Sequence, residues 1–268
     1  MVAEPVRVAV AQLVVPADHA AARDVTRAAV VEAARGGADL VVLPEYASGF
    51  DPRGVGREHA EPLDGPFVTS VRELAATLRI SVIVGTTAPG VAADRASNVV
   101  VAVGPDGGLR GTYRKVHLYD AFGQRESDRL EAGPADAEPL VLDVRGTRFG
   151  VLTCYDLRFP ESARRVVDAG ADVLVVPAAW AAGAGKAEQW RALVVARAIE
   201  NTSAVVAVGQ TGHGVVGRSV VAGADGVALL ELGDEPTVAT VDLDPAWVRG
   251  ERDRNPSLAN RRYSVVPR

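Results

Sequence analysis

Short, unbroken apolar runs alternate with alanine-rich and charged stretches, and few of the runs show the in–out alternation of a half-exposed strand. Residues 6–13 read as a buried strand, and residues 20–35 as an alanine-rich helix ending at Gly36-Gly37. The next strand, over 40–43, is stopped by Pro44, with Glu45 directly after it. A helix is predicted over 66–78, with Pro66 in its first turn. Strands are predicted over 80–86, 98–103 and 109–113, the last two joined by Pro105-Asp106-Gly107-Gly108. From 115 to 137 the periodicity fails and charges dominate, which predicts a long functional loop. Strands resume over 139–144 and 148–154, followed by a helix over 160–169, a strand over 173–176 and a helix over 187–201. The remainder is strand-rich, over 204–209, 219–222, 227–231 and 237–241, with an arginine-rich tail to Arg268.

One stretch occurs twice. Gly37-Ala38-Asp39-Leu40-Val41-Val42-Leu43-Pro44 is matched in residue class by Gly170-Ala171-Asp172-Val173-Leu174-Val175-Val176-Pro177. Each copy follows a strand and a helix, so two strand–helix–strand units are expected to face each other across a pseudo-twofold. Chance recurrence of common residues is the alternative. Apolar strands alternating with helices indicate an α/β fold whose sheets are covered by helices. Two such halves packed sheet to sheet make a four-layer αββα sandwich.

Composition narrows the function classes. The 268 residues contain no Pro/Gly/Ser linker or charge run, so a single domain over 1–268 is expected, large enough to form a core without disulfides. With one cysteine no intrachain disulfide can form. The first residues carry no long apolar region of the signal-peptide kind, and the apolar runs are too short to span a bilayer. A net charge of −5 with both signs interspersed argues against nucleic acid or an anionic membrane as partner. A soluble, cytoplasmic protein is expected. His19, His59, His117 and His213 are scattered, with no metal-ligand spacing. Gly183-Ala184-Gly185-Lys186 is like a phosphate loop, but Trp180 and Ala187 stand where its first glycine and its Ser/Thr belong. Thr153 and Tyr155 replace the glycines that a Cys-His-Glu glutaminase elbow would want around its cysteine.

The chemistry-bearing candidates lie at element ends. Cys154 sits in Phe149-Gly150-Val151-Leu152-Thr153-Cys154-Tyr155-Asp156-Leu157-Arg158-Phe159-Pro160-Glu161, where a strand runs into a helix start. Such a junction exposes a side chain at a sheet rim and offers backbone N–H groups to a developing anion. A lone cysteine is more often a small buried hydrophobe, so its company decides the reading. Glu45 stands at a sheet edge against apolar surface, which raises a carboxyl pKa and makes it a better base. Lys115 ends a strand where the irregular loop begins; it could bind an oxyanion and favour a nearby thiolate. Glu126, inside that loop, could hold the lysine in place. Taken singly each is more often a surface charge. Together they supply a nucleophile, a base and an anion site.

These residues carry a family likeness. The chain resembles the nitrilase superfamily of carbon–nitrogen hydrolases over essentially its whole length. The matching segments are Leu43-Pro44-Glu45, Tyr113-Arg114-Lys115-Val116-His117-Leu118, Gln124-Arg125-Glu126-Ser127 and the run from Cys154 to Glu161. Ala196-Arg197-Ala198-Ile199-Glu200-Asn201 and the terminal Arg261-Arg262 complete them. The resemblance implies the αββα sandwich, a homodimer or higher homo-oligomer, and catalytic Glu45, Lys115 and Cys154 with Glu126 as accessory glutamate. Cys154-Tyr155-Asp156-Leu157-Arg158-Phe159-Pro160-Glu161 looks most like the branch of omega-amidases and deaminated glutathione amidases. Many of that branch have His-Trp where this chain has Gln189-Trp190.

The function so implied is hydrolysis of a small linear amide through a cysteine thioester, without a metal or organic cofactor. Lys115 and the Tyr155 N–H would stabilise the oxyanion. Arg158 would either read a substrate anion or pair with Asp156 or Glu161. A carbamoyl-amide hydrolase or a nitrilase would use the same four residues. A catalytically silent binding protein of this fold is the rival of another class, and intact Glu45, Lys115, Glu126 and Cys154 argue against it.

Overall fold

The computed structural model describes residues 4–267 and contains two six-stranded mixed sheets. In the first half of the chain β1 (Val6–Gln12), α1 (His19–Arg35), β2 (Leu40–Val42), α2 (Pro66–Leu78), β3 (Ser81–Pro89), β4 (Ala96–Val103) and β5 (Leu109–Arg114) follow one another. The second half begins with β6 (Val141–Val144), β7 (Thr147–Val151), α3 (Pro160–Asp168), β8 (Val173–Ala178) and α4 (Lys186–Asn201). It continues through β9 (Ala204–Gly209), β10 (Val220–Ala222), β11 (Ala228–Glu231), β12 (Thr237–Leu243) and α5 (Pro245–Arg254). One sheet has the order β12-β1-β2-β3-β4-β5 and the other β11-β10-β9-β8-β7-β6. Read from opposite ends, the two are the same sheet, with parallel pairs in matching places.

The repeated stretch is the axis of that likeness. In one sheet Val8 pairs with Leu40 and Leu40 with Ser81; in the other Phe149 pairs with Val173 and Val173 with Ala204. Asp39 and Asp172 make the same two bonds. Their N–H groups donate to the carbonyls of Arg7 and Arg148, both at 2.8 Å, and their carboxylates accept the N–H of those arginines.

Side chains alternate between layers with period two. Val6, Val8 and Val10 face the other sheet and meet Phe149, Val151 and Val173, while Ala9 and Ala11 face the helices α1 and α2. Leu174 and Val176 face α3 and α4 in the same manner. The strands read as unbroken apolar runs because both of their faces are buried. The α/β reading and the four αββα layers therefore hold.

Two elements differ in kind from expectation. The strand predicted over 148–154 ends at Val151, and residues 154–158 form a 3-10 turn instead. The tail contains α5, whose start is marked by Asp244 accepting from Ala246 N–H at 2.8 Å and by Pro245 in the first turn. Between 115 and 137 the backbone is irregular, as predicted, apart from the 3-10 turn Glu126–Asp128. Residues 1–3, on which part of the leader reading rests, and Arg268, the end of the tail, lie outside the described residues. Among the described residues no helix is long and apolar enough to cross a membrane.

Candidate active site

Glu45 follows β2 and Pro44 and is only 1 % exposed. Its turn packs so closely on β3 that a Cβ on Gly85 would lie 2.5 Å from the Glu45 Cα, so this crossing needs glycine. The next residue, Tyr46, is left-handed at φ 56°. The Glu45 carboxylate accepts three hydrogen bonds: Asn98 Nδ2 at 2.6 Å and Lys115 Nζ at 2.9 Å on Oε1, and the Ala179 N–H at 2.7 Å on Oε2. Gln210 Nε2 donates to the Glu45 carbonyl at 2.6 Å. Ala179 and Gln210 belong to the second half, so the two halves build this carboxylate's surroundings together.

Lys115 continues from β5, its N–H bonded to the Asn98 carbonyl at 2.9 Å. Its ammonium, 2 % exposed, also donates to Glu126 Oε1 and Oε2 at 3.0 and 2.9 Å. Burial alone would lower the Lys115 pKa, but the Glu126 and Glu45 carboxylates outweigh it and hold the ammonium well above the usual lysine range. Glu126 is fixed in turn by the Tyr46 hydroxyl and by the Tyr119 N–H at 2.6 Å.

Cys154 opens the 3-10 turn with φ 45°, a left-handed conformation that costs a non-glycine residue of order 1–3 kcal/mol. Asp156, fully buried, holds this turn. It accepts from the Thr153 N–H at 3.1 Å, the Tyr113 hydroxyl at 2.7 Å and the His117 N–H at 3.0 Å. Tyr113 and His117 flank Lys115, so one carboxylate sets the distance between nucleophile and ammonium. Burial pushes the Cys154 thiol well above its usual pKa, helped by the Glu45 charge and hydrogen bond, and Lys115 only partly opposes this. The Lys115 charge acts toward the thiolate, as expected, but burial and the Glu45 carboxylate outweigh it. This balance favours the protonated thiol, and a neighbouring carboxylate is the group that general-base activation of a thiol calls for.

The carbon-nitrogen hydrolase family model matches residues 7–252. The chain belongs to the carbon–nitrogen hydrolase family. A deaminated glutathione amidase of Escherichia coli O157:H7 is 36% identical, the match covering 88% of this chain and 89% of that one. A hydrolase of Mycobacterium tuberculosis is 38% identical over 95% of each chain. Among solved structures, a CN-hydrolase superfamily protein of Xanthomonas campestris with an arsenic adduct in its active site superposes with TM-score 0.86 at 30% identity. That match covers 98% of this chain and 100% of the other. A glutamate-to-glutamine mutant of an amidase from Nesterenkonia sp. AN1 superposes with TM-score 0.81 at 27% identity over 98% of this chain and 96% of its own. It has the acetamide moiety of fluoroacetamide attached at the active-site cysteine.

In this carbon–nitrogen hydrolase, all six residues named from the sequence border one cavity of about 50 Å³: Glu45, Lys115, Glu126, Cys154, Tyr155 and Arg158. A larger hollow of about 460 Å³ lies under the tail beside Pro139, Leu152 and Val166, but none of the six lines it. The smaller cavity brings the chemistry-bearing side chains together and is the candidate site. Arg158 pairs with neither Asp156 nor Glu161; its Nη2 donates to Gln189 Oε1 at 2.7 Å, and its guanidinium lies over Trp180, 4.8 Å from the ring centroid. Asp156 is taken by Tyr113, His117 and Thr153, which leaves it no part in an Arg158 pair. Three residues of the site escaped the sequence reading: Asn98, Asp156 as the clamp, and Lys186 in the cavity wall. The polar Asn98 breaking an apolar strand was the one local signal. Among the described residues no group of three or more His, Cys, Asp or Glu is placed to hold a metal ion.

Proposed function

We propose that this carbon–nitrogen hydrolase cleaves the C–N bond of small linear amides through a thioester on Cys154, releasing ammonia and a carboxylic acid. The observation that carries the reading is that Cys154, Glu45, Lys115 and Glu126 border one cavity, with the Glu45 carboxylate held by Asn98, Lys115 and the Ala179 N–H. Glu45 takes the thiol proton as sulfur attacks the amide carbon. The carbonyl π-pair moves to oxygen, where the Lys115 ammonium and the Tyr155 backbone N–H stabilise it. Collapse breaks the C–N bond, and Glu45 delivers its proton to the departing nitrogen, so ammonia leaves. Glu45 then takes a proton from water, the hydroxide attacks the thioester, and collapse returns the proton to sulfur with release of the acid. Glu126 acts by keeping Lys115 charged and in place. The amidase names of the E. coli relative and the Nesterenkonia neighbour support the reaction class, and the acetamide-modified cysteine of the latter supports the nucleophile.

Carbamoyl compounds and nitriles would meet the same four residues, so a substrate panel separates the readings. Ammonia release is measured over linear amides, carbamoyl compounds and nitriles at equal concentration. The proposal expects the highest kcat/KM on an amide; a nitrile or carbamoyl compound leading the panel would overturn it.

A further inference from the structure

Asn98 lies in β4, a strand buried along its whole length, and is itself 1 % exposed. Its carbonyl accepts the Lys115 N–H at 2.9 Å and its Nδ2 donates to Glu45 Oε1 at 2.6 Å, so one strand residue holds both the base and the ammonium. Among the described residues its Oδ1 has no partner. An unpaired buried amide oxygen costs free energy and calls for a reason, and the reason lies at the other end of the amide. Turned over, the amide would set oxygen against the carboxylate oxygen, so Glu45 fixes which end faces it.

The bonds on the Glu45 carboxylate divide by oxygen and by half of the chain. Oε1 accepts from Asn98 and Lys115, both in the first half, and Oε2 from the Ala179 N–H, in the second. A carboxylate oxygen has two lone pairs to offer. Two donors fill those of Oε1; one donor among the described residues leaves Oε2 with a pair free. Cys154, also of the second half, borders the same cavity.

We propose that Asn98 is a positioning residue for the base: with Lys115 it saturates Glu45 Oε1, so that Oε2 alone takes the Cys154 proton. This rests on the amide-hydrolase reading above and adds the atom through which it runs. The S–H bond breaks with its electron pair left on sulfur, an Oε2–H bond forms, and the same Oε2–H later gives its proton to the departing nitrogen. A proton on Oε1 would instead have to expel the Asn98 amide or face the Lys115 ammonium. The other charged or titratable groups around this carboxylate are Glu126 behind that ammonium, Tyr46 next in the chain and Cys154, with Arg158 and Lys186 in the same cavity wall.

The test follows alkylation of Cys154 by iodoacetamide, which needs the same proton transfer but no amide turnover. Sulfur bonds to the methylene carbon as iodide leaves, and the thiol proton goes to Glu45. Rates are read by mass spectrometry of the intact enzyme from about pH 5 to about pH 9. Wild type should slow on the acid side as Glu45 is protonated, and Glu45→Gln should lose that acid limb together with most of the rate. Asn98→Leu, close in shape but without a donor, should lower the rate at neutral pH about tenfold and move the acid limb up by about one pH unit, the scale of one hydrogen bond to a charged group. Its kcat on linear amides should fall in step, with KM unchanged. Asn98→Asp, which sets a second carboxylate against Oε1, should move the limb further and serves if Asn98→Leu fails to fold. An acid limb at the wild-type pH in these variants would overturn the positioning role, and so would a neutral rate at or above wild type. If Glu45→Gln is slow while the Asn98 variants match wild type, the role of Asn98 alone fails. If Glu45→Gln keeps the wild-type rate and limb, Glu45 is not the base, and the amide-hydrolase mechanism fails with everything built on it.

Discussion

The turn after β2 and the turn after β8 start from matching residues and end in different chemistry. Pro44, two residues beyond β2, and Pro177, inside β8, close the two copies of the repeated stretch, and the two strands pair in the same register with their neighbours. The next residue is Glu45 in one half and Ala178 in the other. Ala179, one step further, lends its N–H to the Glu45 carboxylate. The turns after β1 and β7 divide in the opposite sense. Three residues beyond the paired Val10 and Val151 stand a buried Leu13 and the proposed nucleophile Cys154. In the proposed mechanism one half therefore presents the base and the other the nucleophile, each beyond a strand whose counterpart leads to an apolar residue. A duplicated frame positions a site well because the frame's own hydrogen bonds, such as those of Asp39 and Asp172, take no part in the chemistry.

Substitutions can break that division of labour in order of severity. Cys154→Ala should reduce kcat at least about a thousandfold, since no other group can carry the acyl intermediate. Cys154→Ser should be nearly as inactive, because Glu45 is too weak a base for an alcohol. The change removes little volume, so circular dichroism should show an intact fold; residual turnover above about a tenth of wild type would refute the assignment. Glu45→Gln should lower kcat by about a hundred- to ten-thousandfold, the range for general acid–base groups, in both acylation and thioester hydrolysis. A burst of ammonia equal to the enzyme concentration in that variant would show that Glu45 serves the second step alone.

Lys115→Ala should cost at least about 2.7 kcal/mol in kcat, the scale of one oxyanion-hole donor. It also leaves the Glu45 and Glu126 carboxylates facing each other without the ammonium, so its melting temperature should fall as well. An effect on KM alone would make the lysine a substrate anchor. The smallest effects belong to the frame. Asp39→Ala and Asp172→Ala should each lower stability by about 1 kcal/mol in urea unfolding, with kcat unchanged. Unequal losses, or a fall in kcat for either, would show that the halves are not the mechanical equivalents their registers imply.

Alkaline pH sharpens the contrast between thiol and ammonium. Cys154 and Lys115 both have folded pKa values above their unfolded ones, so each keeps its proton longer when folded. Stability is then lost as pH rises, beginning above the unfolded thiol value of about 8.5 and continuing above the unfolded lysine value of about 10.4. Removing the thiol in Cys154→Ala should flatten the first part of that decline, measured by urea unfolding from pH 7 to 10. A decline identical to wild type would contradict the protonated resting thiol.

The strands and the four layers were legible because burial of both sheet faces leaves unbroken apolar runs and the repeated stretch ties two of them together. The end of β7 was not, since Leu152 and Thr153 continue the strand's composition while the backbone turns away to place Cys154. Helix α5 was hidden by its arginines, although the Asp244-Pro245 cap was readable. Glu45, Lys115, Glu126 and Cys154 could be named from ordered motifs, but the partners that tune them could not. Asn98 and Asp156 act across 53 and 39 residues of chain, on Glu45 and His117, and such contacts leave no local pattern. Gln189, which departs from the His-Trp pattern, acquires its role only by meeting Arg158 31 residues away. That burial and Glu45 outweigh Lys115 at the thiol was not legible for the same reason, because only the assembled site shows two carboxylates sharing one ammonium.

The central claim is that a base from one half activates the nucleophile of the other to form a thioester. Rapid-quench mass spectrometry of a single turnover on a linear amide tests it most directly. The account predicts a transient adduct on the Cys154 peptide, equal in mass to the acyl group, appearing together with ammonia in wild type and absent in Glu45→Gln. Ammonia released in the first turnover while the Cys154 peptide stays unmodified at every quench time would contradict it.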